Sequence, residues 1–187
     1  MTSLATVRAK IVATMNAVPG IGVVHGYEAF VKTEAKLKAL YVRDGKLHGW
    51  QVRRVGPTSE KPYSEGVNEV IFNWRMRGFM ALEDDTETGF DDLVEDIRTA
   101  FRLDPTLGGV VTTTVFPNSA GVQLDESLPV VFAGVLCHAV TLTLATLVLV
   151  EAGTILTDPD LGTAMPATMN ASGNGEPRRV TTVGAEP

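Results

Sequence analysis

Cysteine occurs once in these 187 residues, at Cys137. That excludes a disulfide within the chain and any zinc site built from several cysteines. Positive charge is also short: 16 Lys and Arg stand against 22 Asp and Glu, a formal net charge of −6. A general nucleic-acid binder usually carries the opposite balance. A clean apolar run behind a basic start is missing from MTSLATVRAKIVATMNAVPG, because Arg8 and Lys10 fall inside its apolar stretch. The segment does not read as a secretory signal, and the expectation is a chain that stays in the cytoplasm. No internal repeat is evident, and no loop has calcium-binding spacing.

What is present suits one domain of ordinary size. Hydrophobic residues make up 44% of the chain, which excludes wholesale disorder. Mean hydropathy is +0.12, and its source is LPVVFAGVLCHAVTLTLATLVLV at 128–150. Ser127 through Val150 contains no Asp, Glu, Lys or Arg, long enough for a membrane span. However, Thr141 and Thr143 alternate with Val140, Leu142 and Leu144, which is strand periodicity. The flanks Asp125, Glu126 and Glu151 supply no basic residue to orient a span. One or two buried strands are the expectation, and no membrane partner.

Ser3 is placed to cap a helix to about Ala17, with Leu4, Val7, Ile11 and Met15 on one face. Pro19-Gly20 should end it. Leu37–Val42 and Leu47–Val55 flank Asp44-Gly45, a hairpin signal. A loop is expected over Gly56–Gly66. A long strand should follow, with Val70, Phe72, Trp74 and Met76 alternating with Glu69, Asn73, Arg75 and Arg77, and Ile71 as the exception. Asp84, Asp85 or Thr86 should start a second helix with the apolar stripe Phe90, Leu93, Val94, Ile97 and Phe101. Its acidic early turns and its Arg98 and Arg102 complement the helix dipole. A strand is expected over Gly109–Phe116, then a strand pair within 121–150. Residues 151–187 hold four prolines and five glycines with few large apolar residues, and cannot form a core alone. The division is thus a domain over 1–150 and an arm over 151–187.

Candidate chemistry is sparse. PGIGVVHG (19–26) has close glycines, but they follow a helix and lead into Val23-Val24, the wrong context for a dinucleotide fingerprint. Cys137 and His138 are adjacent, so on a strand they face opposite ways and cannot pair as nucleophile and base. Glu83, Asp84, Asp85, Glu87, Asp91, Asp92, Glu95 and Asp96 form an acidic run. Asp91/Glu95 and Asp92/Asp96 stand at i,i+4 and share helix faces. Two carboxylates can bind a divalent cation, but a solvated or partner-facing helix is the simpler expectation. No catalytic residue, cofactor or metal is expected. Arg53, Arg54, Arg75 and Arg77 lie on strands expected to be neighbours, and could line a surface that meets phosphate or carboxylate. The plainer alternative is an ordinary solvated sheet face.

The charge is unevenly divided. Residues 1–77 hold 12 basic and 6 acidic residues, and residues 78–187 hold 4 and 16. Such a split permits head-to-tail contact between copies, and heterologous contacts that close make rings.

The order of segments carries a resemblance over about residues 4–150. It runs from an amphipathic helix to PGIGVVHGYEAF, DGKLHGWQVRR, NWRMRGFMALED, FDDLVEDIRTAFRLDPTLGG and FAGVLCHAVTLTL. GWQVRR, AFRLDPTLGG and GVLCHAVTLTL are the most distinctive pieces. The series resembles the tail terminator proteins of long-tailed bacteriophages, the siphophages. The resemblance implies an α+β fold, a mainly antiparallel sheet with two principal helices packed on it; the extended C-terminal arm after Val150 lies outside the family's common core. It implies a structural protein of the virion's tail neck, assembled in the host cytoplasm, with no enzymatic activity and no cofactor. It further implies a homo-oligomer, a hexameric ring, that caps the tail tube, ends tube polymerisation and presents the head–tail joining surface. The implied partners are the tail tube protein and the head–tail connector or stopper protein, with genomic DNA passing through the lumen without specific binding. The candidate inter-subunit or lumen residues are Asp91, Asp92, Glu95, Asp96, Arg53, Arg54, Arg75 and Arg77. The alternatives are another neck or head–tail joining component, a small membrane-associated protein using 128–150, or an enzyme without a recognisable motif.

Overall fold

The computed structural model describes residues 3–28, 33–43, 45–84 and 86–151. Apart from Glu151, the arm expected over 151–187 lies outside these residues, as do Asp44 of the hairpin turn and Asp85 of the acidic run.

The fold is α+β. Helix α1 (Leu4–Asn16) begins at Ser3, whose Oγ accepts the Thr6 N–H at 3.1 Å. That bond satisfies one of the open donors of the first turn. Leu4, Val7, Ile11 and Met15 are its buried residues, as their spacing requires. The chain then turns through Pro19-Gly20 into β1 (Val23–His25).

The expected strand over Leu37–Val42 is corrected. Glu34–Leu40 is helix α2, and only β2 (Val42–Arg43) is extended. The segment EAKLKAL consists of strong helix formers, which outweigh its apparent alternation. The hairpin itself stands: Val42 pairs with Leu47 and Arg43 with Lys46.

The expected loop over Gly56–Gly66 is also corrected, because β3 runs without interruption over Lys46–Ser64. It pairs antiparallel with β4 (Val67–Ala81), with register shifts between Val55 and Ser59 and between Pro62 and Ser64. Beyond Gln51 no described strand pairs with the other side of β3. Pro57 and Pro62 therefore sit on an edge strand, where a missing N–H is tolerated.

Helix α3 (Thr86–Leu103) buries Phe90, Leu93, Val94, Ile97 and Phe101. It leaves through a turn in which Asp104 accepts the Thr106 hydroxyl at 3.0 Å. The Gly108 N–H also bonds this carboxylate and holds its pKa below the ordinary value. The strand expected over Gly109–Phe116 shrinks to β5 (Val115–Phe116), which pairs with β6 (Ser119–Ala120). The approach to it is a turn with positive φ at three successive residues, Leu107, Gly108 and Gly109, a run that breaks an extended strand. Strands β7 (Gln123–Phe132) and β8 (Val135–Glu151) form the expected pair. The charge-free stretch is thus a hairpin, and no described helix is long and apolar enough to cross a membrane.

The main sheet has the order β1-β3-β4-β8-β7, with β2 also pairing β3 and only β1 parallel to its neighbour. Alternation gives the sheet two different faces. Trp50, Val52, Val70, Phe72, Trp74, Met76, Val140, Leu142 and Leu144 point to one, where α1 and α3 close the core. The other face carries a smaller cluster of Tyr41, Leu47, Phe79, Cys137 and Ala139 at one end, packed by Leu37 and Leu40 of α2. Ile71, the exception to alternation, lies on this second face in register with Leu147.

Candidate functional site

The middle of the second face is polar. Gln51 is in register with Arg77, Arg53 with Arg75, and Arg77 and Arg75 with Thr141 and Thr143. Gln51, Arg53, Arg75, Arg77 and Thr141 line a pocket of about 210 Å³ together with Glu28, Asp125 and Glu126. Arg53 donates to Glu28 Oε2 at 2.6 Å. Gln51 is buried, and its Oε1 accepts from the Tyr41 hydroxyl at 3.1 Å. The Arg77 guanidinium lies 5.1 Å from the Phe79 ring centroid, in cation–π range. The Arg75 side chain makes no hydrogen bond or ion pair among the described residues, where its Nε is buried without a partner.

Three of the four expected arginines therefore meet, and Arg54 does not. It follows Arg53 directly, so its side chain leaves by the opposite face, in register with Trp74. That outcome was legible in the sequence, because neighbours on a strand always diverge. Gln51 and Thr141 could also have been found from the two-residue period. Glu28, Asp125 and Glu126 come from other segments and carry no such signal.

Of the acidic residues, Asp91, Asp92, Glu95 and Asp96 are all exposed on α3. Glu95 pairs with Arg98, and more distantly with Arg102 at 3.9 Å. Glu83 pairs with Lys46 at 2.7 Å. Asp91, Asp92 and Asp96 have no cationic partner among the described residues.

A comparison with protein-family models finds no match to the chain, and a comparison with curated proteins finds no significant match.

The distinctive segments acquire physical roles. In GWQVRR, Gly49 leaves room for Tyr41, since a Cβ there would come within 2.6 Å of its ring. Trp50 and Val52 enter the core, and Gln51 and Arg53 enter the polar pocket. In GVLCHAVTLTL, Cys137 is buried on the second face and its Sγ donates to the Val135 carbonyl at 3.4 Å. Burial pushes this thiol's pKa up, which disfavours the nucleophilic thiolate. His138 takes the opposite face, in register with Met80.

A larger cleft of about 590 Å³ lies where the turn after α1 meets the β2–β3 hairpin and the start of α3. Val18, Ile21, Arg43, His48, Met80 and Thr86 are among its walls. Arg43 is tied to the Gly22 carbonyl at 3.1 Å. His48 Nε2 is buried without a partner among the described residues, and burial lowers the pKa of this imidazole from its usual 6.5. The unfolded chain therefore takes up a proton first as pH falls. The contribution of neutral His48 to stability is full above about pH 6.5 and declines through the folded pKa below it. Thermal melts between about pH 7.5 and 5 should show a steeper loss for the parent than for His48→Gln. Equal slopes would show that His48 is solvated in the folded chain.

Proposed function

We propose that this chain is a structural virion protein of the siphophage tail neck. It forms a ring that caps the tail tube, ends tube polymerisation and provides the surface to which the head joins. The observation that supports this most is the ordered resemblance over residues 4–150. The α+β fold is the one that the resemblance implies. The open, charged surfaces on both sides of the sheet suit a subunit that must contact copies of itself and other neck proteins.

A cap works by asymmetry. One face of the ring binds the last ring of the tube, and the other offers nothing complementary to a further tube ring, so growth stops. The lumen must also let DNA pass. Dense positive charge would hold phosphate tightly, so the overall balance of −6 is compatible with passage. The arm over 151–187 extends this role. It starts at the end of β8, where Val67 at the β3–β4 turn is in register with Glu151. The 36 residues after Glu151 span about 120–130 Å when fully extended, enough to cross onto an adjacent subunit or the neck.

Deletion of the gene from its phage should yield tails of excess and variable length in electron micrographs. The purified protein should give a hexamer mass in native mass spectrometry. A chain ended after Glu151 should fold but cap less efficiently. Tails of normal length beside full, unattached heads would instead assign a head–tail joining role.

A further inference from the structure

The geometry points to a head-to-tail contact in which Asp92 and Asp96 of one copy enter the Arg75/Arg77 pocket of the next. This deepens the ring reading by naming the surfaces that would join neighbouring subunits.

The pocket asks for a carboxylate. Arg53 already has Glu28, but Arg75 and Arg77 have no ion pair among the described residues. Among the described residues the Nε of Arg75 is a buried donor with nothing to donate to. An unsatisfied buried donor is costly, and a guanidinium–carboxylate pair is among the stronger polar contacts.

The helix supplies the match. Phe90, Leu93, Val94, Ile97 and Phe101 face the sheet, which turns Asp92 and Asp96 outward. Glu95 is engaged by Arg98, while Asp92 and Asp96 are exposed without a cation. As like charges at i,i+4 they repel, so a cationic partner relieves a standing cost. Their Cβ atoms are about 6 Å apart along the helix. Arg75 and Arg77, at i,i+2 on β4, are about 7 Å apart. Two carboxylates can thus meet two guanidiniums in one docking.

The relative placement makes the contact intermolecular. Helix α3 covers the first face of the sheet, and the pocket opens on the second. One chain cannot bring the two surfaces together, and a contact between opposite faces repeats from copy to copy, making a ring where the rotation closes. Glu28 is taken up by Arg53, and Asp125 and Glu126 also line the pocket without an ion pair among the described residues, so an incoming Asp92 or Asp96 competes with them for Arg75 and Arg77.

The test is a charge-swap complementation at low salt, read by sedimentation velocity and native mass spectrometry. Arg75→Glu/Arg77→Glu and Asp92→Lys/Asp96→Lys should each, alone, weaken self-association by about a hundredfold or more. Mixed in equal amounts they should assemble again, with both masses alternating, because each altered surface then faces its opposite. Renewed assembly also shows that both variants fold; Arg75→Gln/Arg77→Gln, checked by circular dichroism, covers the case in which the glutamates do not. Asp125→Asn/Glu126→Gln should tighten the assembly. A parent that stays monomeric, swaps without effect, a mixture of folded variants that fails to assemble, or Asp125→Asn/Glu126→Gln loosening the contact would each overturn the proposal. An oligomer indifferent to the swaps leaves the ring reading standing. Tails of normal length after gene deletion would overturn the terminator role and leave the contact standing.

Discussion

Trp74→Ala should remove about 3–5 kcal/mol of stability, seen as a lower urea midpoint by circular dichroism at unchanged slope. Trp74 is fully buried at the middle of β4, the strand between β3 and β8. Truncation leaves a cavity that the surrounding sheet, hydrogen-bonded along both edges of β4, cannot collapse to fill. The indole N–H also donates to Thr146 Oγ1 at 3.0 Å, which ties the two central strands through the core. The Arg8 guanidinium lies 5.8 Å from the indole ring and would lose that contact too. Domains of this kind have about 5–15 kcal/mol in total, so the variant gives up a large share. Trp74→Phe keeps most of the volume and loses the hydrogen bond, for an expected cost of about 1–2 kcal/mol. If Trp74→Ala costs less than about 1 kcal/mol, the site can repack and the core is looser than its burial implies. The consequence reaches the pocket, because Arg75 follows Trp74 on the same strand and depends on the same register.

Gly22→Ala should cost about 2–5 kcal/mol, the sum of a left-handed backbone and a steric clash. Gly22 has φ +79°, and a Cβ there would come within 2.4 Å of the His48 carbonyl oxygen. The approach is close because β1 pairs in parallel with Gly49–Gln51, which draws the preceding turn over His48. Gly20 is the control. Its φ is +77°, yet a Cβ would meet nothing within 4 Å. Gly20→Ala should therefore cost only the backbone part, about 1–2 kcal/mol. Equal losses in thermal or urea unfolding would mean that the turn moves off β3 without penalty. The contrast also settles what PGIGVVHG does: its second glycine lets two backbones touch, which is a packing role.

Much of the fold was legible because periodicity reports burial directly. The stripes of α1 and α3 match their buried residues position by position. The Thr/Val/Leu alternation of 140–144 placed β8 in the sheet and argued against a span. The failures have separate causes. Glu34–Leu40 has alternation and helix propensity at once, and its residues are packed too lightly for burial to decide between them. Gly56–Ser64 contains turn residues, but pairing with β4 resumes at Ser59 after a register shift and keeps the segment extended, a contact that no local pattern contains. Gly109–Thr114 has strand composition, and the positive φ angles at the α3 exit override it.

The sequence by itself determined which residues are apolar-facing and which charges are abundant. Both are properties of spacing and composition along one segment. It also determined that Arg53, Arg75 and Arg77 fall in phase, because a strand repeats every two residues. Only the tertiary structure decided that Glu28 satisfies Arg53, that Arg75 keeps a buried donor without a partner among the described residues, and that Asp125 and Glu126 join the pocket lining. Only it decided that the acidic helix and the arginine pocket lie on opposite sides of one sheet. Those facts depend on distances between segments far apart in the chain, and such distances are set by packing the sheet against α1 and α3.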